Sequence, residues 1–194
     1  MKINNKKLLI GALVFSLLFS SYGFSTGNKR KGKTDTTITN VKTQNILNNF
    51  KVHYHPKTGW MNDPNGLNFN GKEYNMFYQY YPSDTVWGPM HWGHAVSKDL
   101  IKWEEKDIAL YPDHLGMNFS GSAVIDKDNT SGFFSKNTPI DKREVLIYTS
   151  HYEKNGKREE MQSVAYLLDN GNYKRYENNP VIAGNNRKDF RDPK

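Results

Sequence analysis

The sequence predicts an antiparallel all-β protein, on three observations. No long stretch of its 194 residues carries a helical period. From about Phe50 onward, short runs rich in aromatic and β-branched residues alternate with turn formers. Asn-Gly pairs separate several of these runs, and they tolerate the positive φ that tight hairpins require. Strands are expected at 74–80, an aromatic run bounded by Gly71 and Pro82, and then at 92–97, 122–125, 145–152 and 161–168. Turns are expected at Asn70-Gly71, Asp128-Asn129, Asn155-Gly156 and Asn170-Gly171, with the last two as the strong hairpin signals. A sandwich, a barrel and a propeller all fit such a pattern. A loose repeat favours the propeller. A turn with polar, functional-looking residues followed by three or four strands occurs near 60–105 and again near 118–177, as successive blades would.

Charge and leader set the context. The net charge of +7 resides entirely in residues 1–50, which carry eight Lys or Arg and one Asp. Residues 51–194 hold 19 basic and 19 acidic side chains, so the body is neutral and nucleic-acid binding is not its main task. There is no Cys, which removes disulfides, thiolate nucleophiles and Cys-based metal sites. Residues 1–26 read as an export signal: Lys2, Lys6 and Lys7 precede an apolar run over 8–19 that is too short for a comfortable membrane span. A secreted or periplasmic product is expected, with no membrane attachment after cleavage. Residues 27–49, rich in Lys, Thr, Asn and Gly, read as a flexible linker, and 50–194 as the folded domain.

The segment Trp60-Met61-Asn62-Asp63-Pro64-Asn65-Gly66 holds the clearest chemical signal. It reads as a stiff turn. Pro64 pushes Asp63 towards an extended backbone, and Asn65-Gly66 allows an immediate change of direction. An acid fixed between amides and an indole suits sugar chemistry, in which a carboxylate attacks or stabilises an anomeric carbon. Taken singly, Asp-Pro-Asn-Gly also fits an ordinary turn at a strand end.

Further motifs follow in order: Met76-Phe77-Tyr78-Gln79-Tyr80-Tyr81-Pro82, Val86-Trp87-Gly88, His91-Trp92-Gly93-His94-Ala95-Val96-Ser97-Lys98-Asp99-Leu100, Lys102-Trp103, Phe119-Ser120-Gly121-Ser122-Ala123 and Arg191-Asp192-Pro193. In this order and spacing the set resembles glycoside hydrolase family 32, the β-fructofuranosidases, over about residues 50–194. The resemblance implies a five-bladed β-propeller with its active site in the central funnel. This chain would supply the N-terminal part, about two blades and the start of a third. It also implies hydrolysis of terminal β-D-fructofuranosyl bonds in sucrose or a fructan, with retention and no cofactor.

By that resemblance Asp63 is the nucleophile and Asp192 the transition-state stabiliser, 129 positions apart and each followed by Pro. Both are therefore expected in extended backbone. Arg191 is expected to keep nearby carboxylates ionised. Trp60, Met61, Asn62, Gln79, Trp87, Phe119 and Ser120 are expected to bind substrate. Gln79 can donate and accept, Trp87 can wall the apolar face of a sugar, and Ser120 sits among small residues. Each of these alone also fits a core aromatic or a strand-edge polar residue. No metal is expected: His91 and His94 point to opposite faces of a strand, and His53 and His55 lack a third ligand. Tyr81 departs from the family, which often has Asn there. The family's general acid is a Glu in a later Glu-Cys motif, so a chain without Cys is expected to be a fragment lacking it. Two rivals remain open: a fructosyltransferase using the same residues, and a non-catalytic fructan-binding protein.

Overall fold

The structure, a computed structural model, describes residues 53–194; the signal over 1–26, the linker over 27–49 and residues 50–52 lie outside the described residues. Eight strands form two sheets. β1 (Trp60–Phe69), β2 (Tyr74–Tyr81), β3 (His91–Ser97) and β4 (Trp103–Glu105) make the first. β5 (Met117–Ile125), β6 (Glu144–Lys154), β7 (Lys157–Leu167) and β8 (Tyr173–Arg175) make the second. Each is a four-stranded meander in chain order, with every neighbouring pair antiparallel. The two sheets occupy the two spans in which the sequence showed its repeat. Among the described residues, no helix is long and apolar enough to cross a membrane.

The five expected strands are present, several of them longer than expected. Three further strands escaped the sequence reading. The segment around Asp63 is not a free-standing turn; it is the first half of β1. The pairing of β1 with β2 shifts register between Met61 and Pro64 and again between Asn65 and Asn68. These bulges absorb Pro64, which has no N–H for the ladder, and Gly66, whose φ is +49. A Cβ on Gly66 would lie 2.9 Å from both the Ala123 Cβ and a Phe77 ring carbon, so β1 can pass this close to β5 only with Gly there. β4 and β8 have three residues each, too few for alternation to register. Between β6 and β7, Asn155 and Gly156 both have positive φ (52° and 75°), the type I′ geometry expected of this pair.

The core lies between the sheets. Phe77 and Trp92 from the first pack with Leu146, Tyr148 and Ala165 from the second. The rings of Phe77 and Trp92 are 5.6 Å apart, and those of Trp92 and Tyr148 are 6.0 Å apart. Trp92 is fully buried, and its indole N–H donates to the Phe119 carbonyl at 3.0 Å. Burial of such a side chain and loss of its one polar partner act together. Trp92→Ala in the complete protein is therefore expected to cost about 3–5 kcal/mol. Chemical denaturation measures this, and a loss below about 1 kcal/mol would contradict a core shared by the two sheets.

Candidate active site

Three elements meet at one end of the sheets: the start of β1, the end of β2 and the start of β5. Both bulged strands place their irregularity there. In β1 the register shift leaves Asn62 and Asp63 out of the ladder. In β5 the shift between Phe119 and Gly121 does the same for Ser120. Bulges re-aim side chains that regular pairing would hold in the pleat. Gly121 is needed beside Ser120, since a Cβ there would lie 2.0 Å from the Ile147 carbonyl oxygen.

The resulting cavity, of about 170 Å³, is lined by Asn62, Asp63, Gln79, Trp87, Phe119, Ser120, Arg191 and Asp192. Asp63 and Asp192, 129 positions apart in sequence, thus open onto one small space. Ser120 Oγ donates to Asp63 Oδ2 at 3.0 Å. Gln79 is buried, and its Nε2 donates to the Asn118 carbonyl at 2.9 Å. Trp87 is half exposed, with its ring edge-on to Phe119. Behind Phe119 the His151 imidazole stacks at 4.0 Å with an interplanar angle of 16°.

Two of the ten expected residues do not line this cavity. Trp60 sits behind it and donates its indole N–H to Asn62 Oδ1 at 2.8 Å. Met61 points to the opposite face of β1, packed against the cluster of Tyr78, Tyr80 and Ala95. The bulge gives the reason: Met61 is still paired with Tyr80 and stays on the opposite face, whereas Asn62 and Asp63 are released from the ladder. Tyr81, the departure from the family, lies against Gly88, where a Cβ would come within 2.4 Å of the tyrosine ring, so it shapes the rim beside Trp87.

Asp192 differs from the expectation in two ways. Its backbone is left-handed, with φ 60, and not extended; Pro193 disfavours the right-handed helical region for it but leaves this one open. Its carboxyl is also raised above the usual carboxylate value. Burial raises it, Arg191 opposes this, and the charges of Asp63 and Glu160 add to it. The Arg191 guanidinium is committed elsewhere. It lies 2.6 Å from Asp189 and 3.1 Å from Glu160, but its Nε is 3.9 Å from Asp192. The Arg191 hydrogen bond holds the Asp189 carboxyl below its usual range. Burial raises Glu160, but the hydrogen bonds from Arg158 and Arg191 outweigh it and keep that carboxyl low.

His94 is structural. It stacks on Phe77 at 4.5 Å, and its Nε2 lies 3.0 Å from Asn75 Oδ1. Burial pushes its pKa down to about 4. Among the described residues no group of three or more His, Asp or Glu converges as a metal site.

The sequence reading missed the residues that hold Asp192 in place. Its N–H donates to Thr149 Oγ1 at 3.0 Å. That hydroxyl donates to Gln162 Oε1 at 3.0 Å, and Gln162 Nε2 donates to the Phe190 carbonyl at 2.8 Å. Thr149 and Gln162 are both buried. Nothing in the local sequence of β6 or β7 marks these two residues.

Residues 53–194 match the family model for the N-terminal domain of the glycosyl hydrolases of family 32. The chain is 53% identical over 145 residues to a levanase of Bacillus subtilis, a match covering 74% of this chain and 20% of the levanase. It is 49% identical over 150 residues to an invertase of Schizosaccharomyces pombe, covering 74% of this chain and 25% of the invertase. The solved structure of a β-fructofuranosidase from Schwanniomyces occidentalis, complexed with fructosyl-erythritol, superposes with a TM-score of 0.63 at 44% identity, over 68% of this chain and 26% of that one. The chain thus spans 20–25% of the length of the two curated relatives it matches here.

Proposed function

The chain belongs to glycoside hydrolase family 32, and on that premise we propose that it supplies the fructosyl-binding cavity and two carboxylates of a retaining hydrolase acting on terminal β-D-fructofuranosyl bonds of sucrose or fructans. One observation carries the proposal: Asp63 and Asp192 open onto the same cavity, together with Gln79, Trp87, Phe119 and Ser120. Asp63 has the character of a nucleophile. It is exposed to the cavity and oriented by a single hydroxyl donor, Ser120. Its carboxylate attacks C2 of the fructosyl unit and forms an ester bond as the glycosidic C–O bond breaks. The leaving oxygen takes its proton from a general acid, and water then attacks C2 to release fructose and free the carboxylate. Asp192 stabilises the positive charge that develops at the ring and accepts hydrogen bonds from ring hydroxyls. The only carboxylates that line the cavity among the described residues are these two, so the general acid comes from elsewhere in the protein.

For the whole protein we propose a five-bladed propeller, with the sheets β1–β4 and β5–β8 as its first two blades, and export by the leader over 1–26. The support for the blades is that both four-stranded meanders begin with a bulged strand that brings a polar residue to the same cavity.

The expected assay result is hydrolysis of sucrose, inulin or levan by the complete protein. The first-formed fructose is expected to be the β anomer, because two displacements at C2 restore the starting configuration. NMR of the product before mutarotation decides this, and initial α-fructose would refute Asp63 as a covalent nucleophile.

A further inference from the structure

Glu160 lies outside the cavity yet reaches both of its walls. It is 3% exposed. Arg191 Nη1 donates to its Oε1 at 3.1 Å, and Arg158 Nη2 donates to the same oxygen at 2.7 Å. His151 Nδ1 lies 3.3 Å from that oxygen, and as a carboxylate only accepts, the ring nitrogen is the donor. Arg191 adjoins Asp192 in the chain, and His151 is the ring that backs Phe119. Two positions along β7, on the same face, Gln162 grips the Phe190 carbonyl and accepts from Thr149, which in turn accepts the Asp192 N–H.

Stability alone does not account for this arrangement. Well-packed apolar residues usually serve a core as well as a buried charge cluster does. What the cluster adds is geometry. Asp192 adopts a left-handed backbone that a non-glycine residue keeps only where its surroundings impose it. The Thr149 and Gln162 hydrogen bonds impose it through the main chain, and Glu160 imposes it through the neighbouring Arg191.

We infer that Glu160 and Thr149 are positioning residues of this site. Glu160 fixes Arg191 and the His151–Phe119 wall, and Thr149, backed by Gln162, fixes the main chain of Asp192. The inference rests on the hydrolase reading of the cavity. A charge stabiliser acts only at its correct distance, and a displacement of about 1 Å is enough to cost on the order of a hundredfold in rate.

The test uses three variants of the complete protein with sucrose, inulin and levan: Thr149→Val, Thr149→Ser and Glu160→Gln. Valine keeps the shape of threonine and suits a strand but loses the acceptor; serine keeps the acceptor and loses a buried methyl. Thr149→Val and Glu160→Gln are expected to lower kcat by about 10- to 100-fold with KM changed less than about threefold, while Thr149→Ser stays within about threefold of the parent. A purely structural role predicts the reverse order at position 149, with serine the worse variant. That order, or a kcat within about threefold of the parent for Thr149→Val and Glu160→Gln, overturns the inference and leaves the hydrolase reading intact. If Glu160→Gln does not fold, the Thr149 pair alone decides. A parent protein inactive on all three sugars overturns the hydrolase reading, and this inference with it.

Discussion

Asp63→Asn in the complete protein is expected to lower kcat on sucrose by roughly four powers of ten or more, with little change in stability. The substitution is isosteric. It removes the charge that attacks C2 but keeps an oxygen that can accept from Ser120 Oγ, now 3.0 Å from Asp63 Oδ2. Asp63 is exposed, so the amide meets no new burial cost. The unfolding midpoint should therefore stay within what a surface change produces, about 0.5 kcal/mol. Steady-state kinetics with a parallel denaturation curve provide both readings. Turnover near the parent level would remove Asp63 from the mechanism. A collapse of stability in step with the loss of activity would make its role structural.

Much of the fold was legible because the chain obeys local rules. Aromatic runs such as 74–80 announced strands, and Asn155-Gly156 announced its hairpin through the positive φ that both residues adopt. The repeat of two four-stranded units was readable from the recurrence of turn and strand signals. β1 was not, because Pro64 and Asn65-Gly66 are turn chemistry by every local criterion. Only the neighbouring strands, β2 beside it and β5 across it, turn that segment into a bulged strand, and tertiary packing of this kind leaves no local trace.

The cavity followed the same division. Eight of its expected residues are gathered by the fold. Met61 adjoins Asn62 in the motif but lies outside the cavity, because it is still paired with Tyr80 on the opposite face while the bulge frees Asn62 and Asp63. Thr149, Glu160 and Gln162 lie in β6 and β7 and look like ordinary strand residues. Their significance appears only once the chain returns at 190–192 to lie against them. Arg191 was expected to keep nearby carboxylates ionised; it lowers Asp189 and Glu160, its shortest contacts, and for Asp192 it only opposes a rise that burial sets.

Asp192→Asn separates chemistry from stability most sharply. As a stabiliser of developing charge, Asp192 is expected to be worth on the order of two to three powers of ten in kcat, with KM changed far less, because the interaction strengthens only in the transition state. The variant should still form the covalent intermediate slowly, whereas Asp63→Asn cannot form it. Stability should move the other way. The Asp192 carboxyl is raised above its usual 3.8, first by burial and then by the charges of Asp63 and Glu160, against the opposing Arg191. A raised acid binds its proton more tightly in the folded state than in the unfolded one, so the folded protein loses stability as pH rises above that usual value. Asparagine cannot ionise and escapes this loss. The variant is therefore expected to melt slightly above the parent at neutral pH, with the gain disappearing as pH falls below the usual carboxylate range. Because the side chain is about half exposed, solvent screening keeps the gain small. Melting temperatures of parent and variant across a pH series, alongside kcat and KM, measure both arms. Unchanged kcat would exclude Asp192 as the stabiliser, and a lower melting temperature at neutral pH would show that its charge holds the 190–192 segment in place.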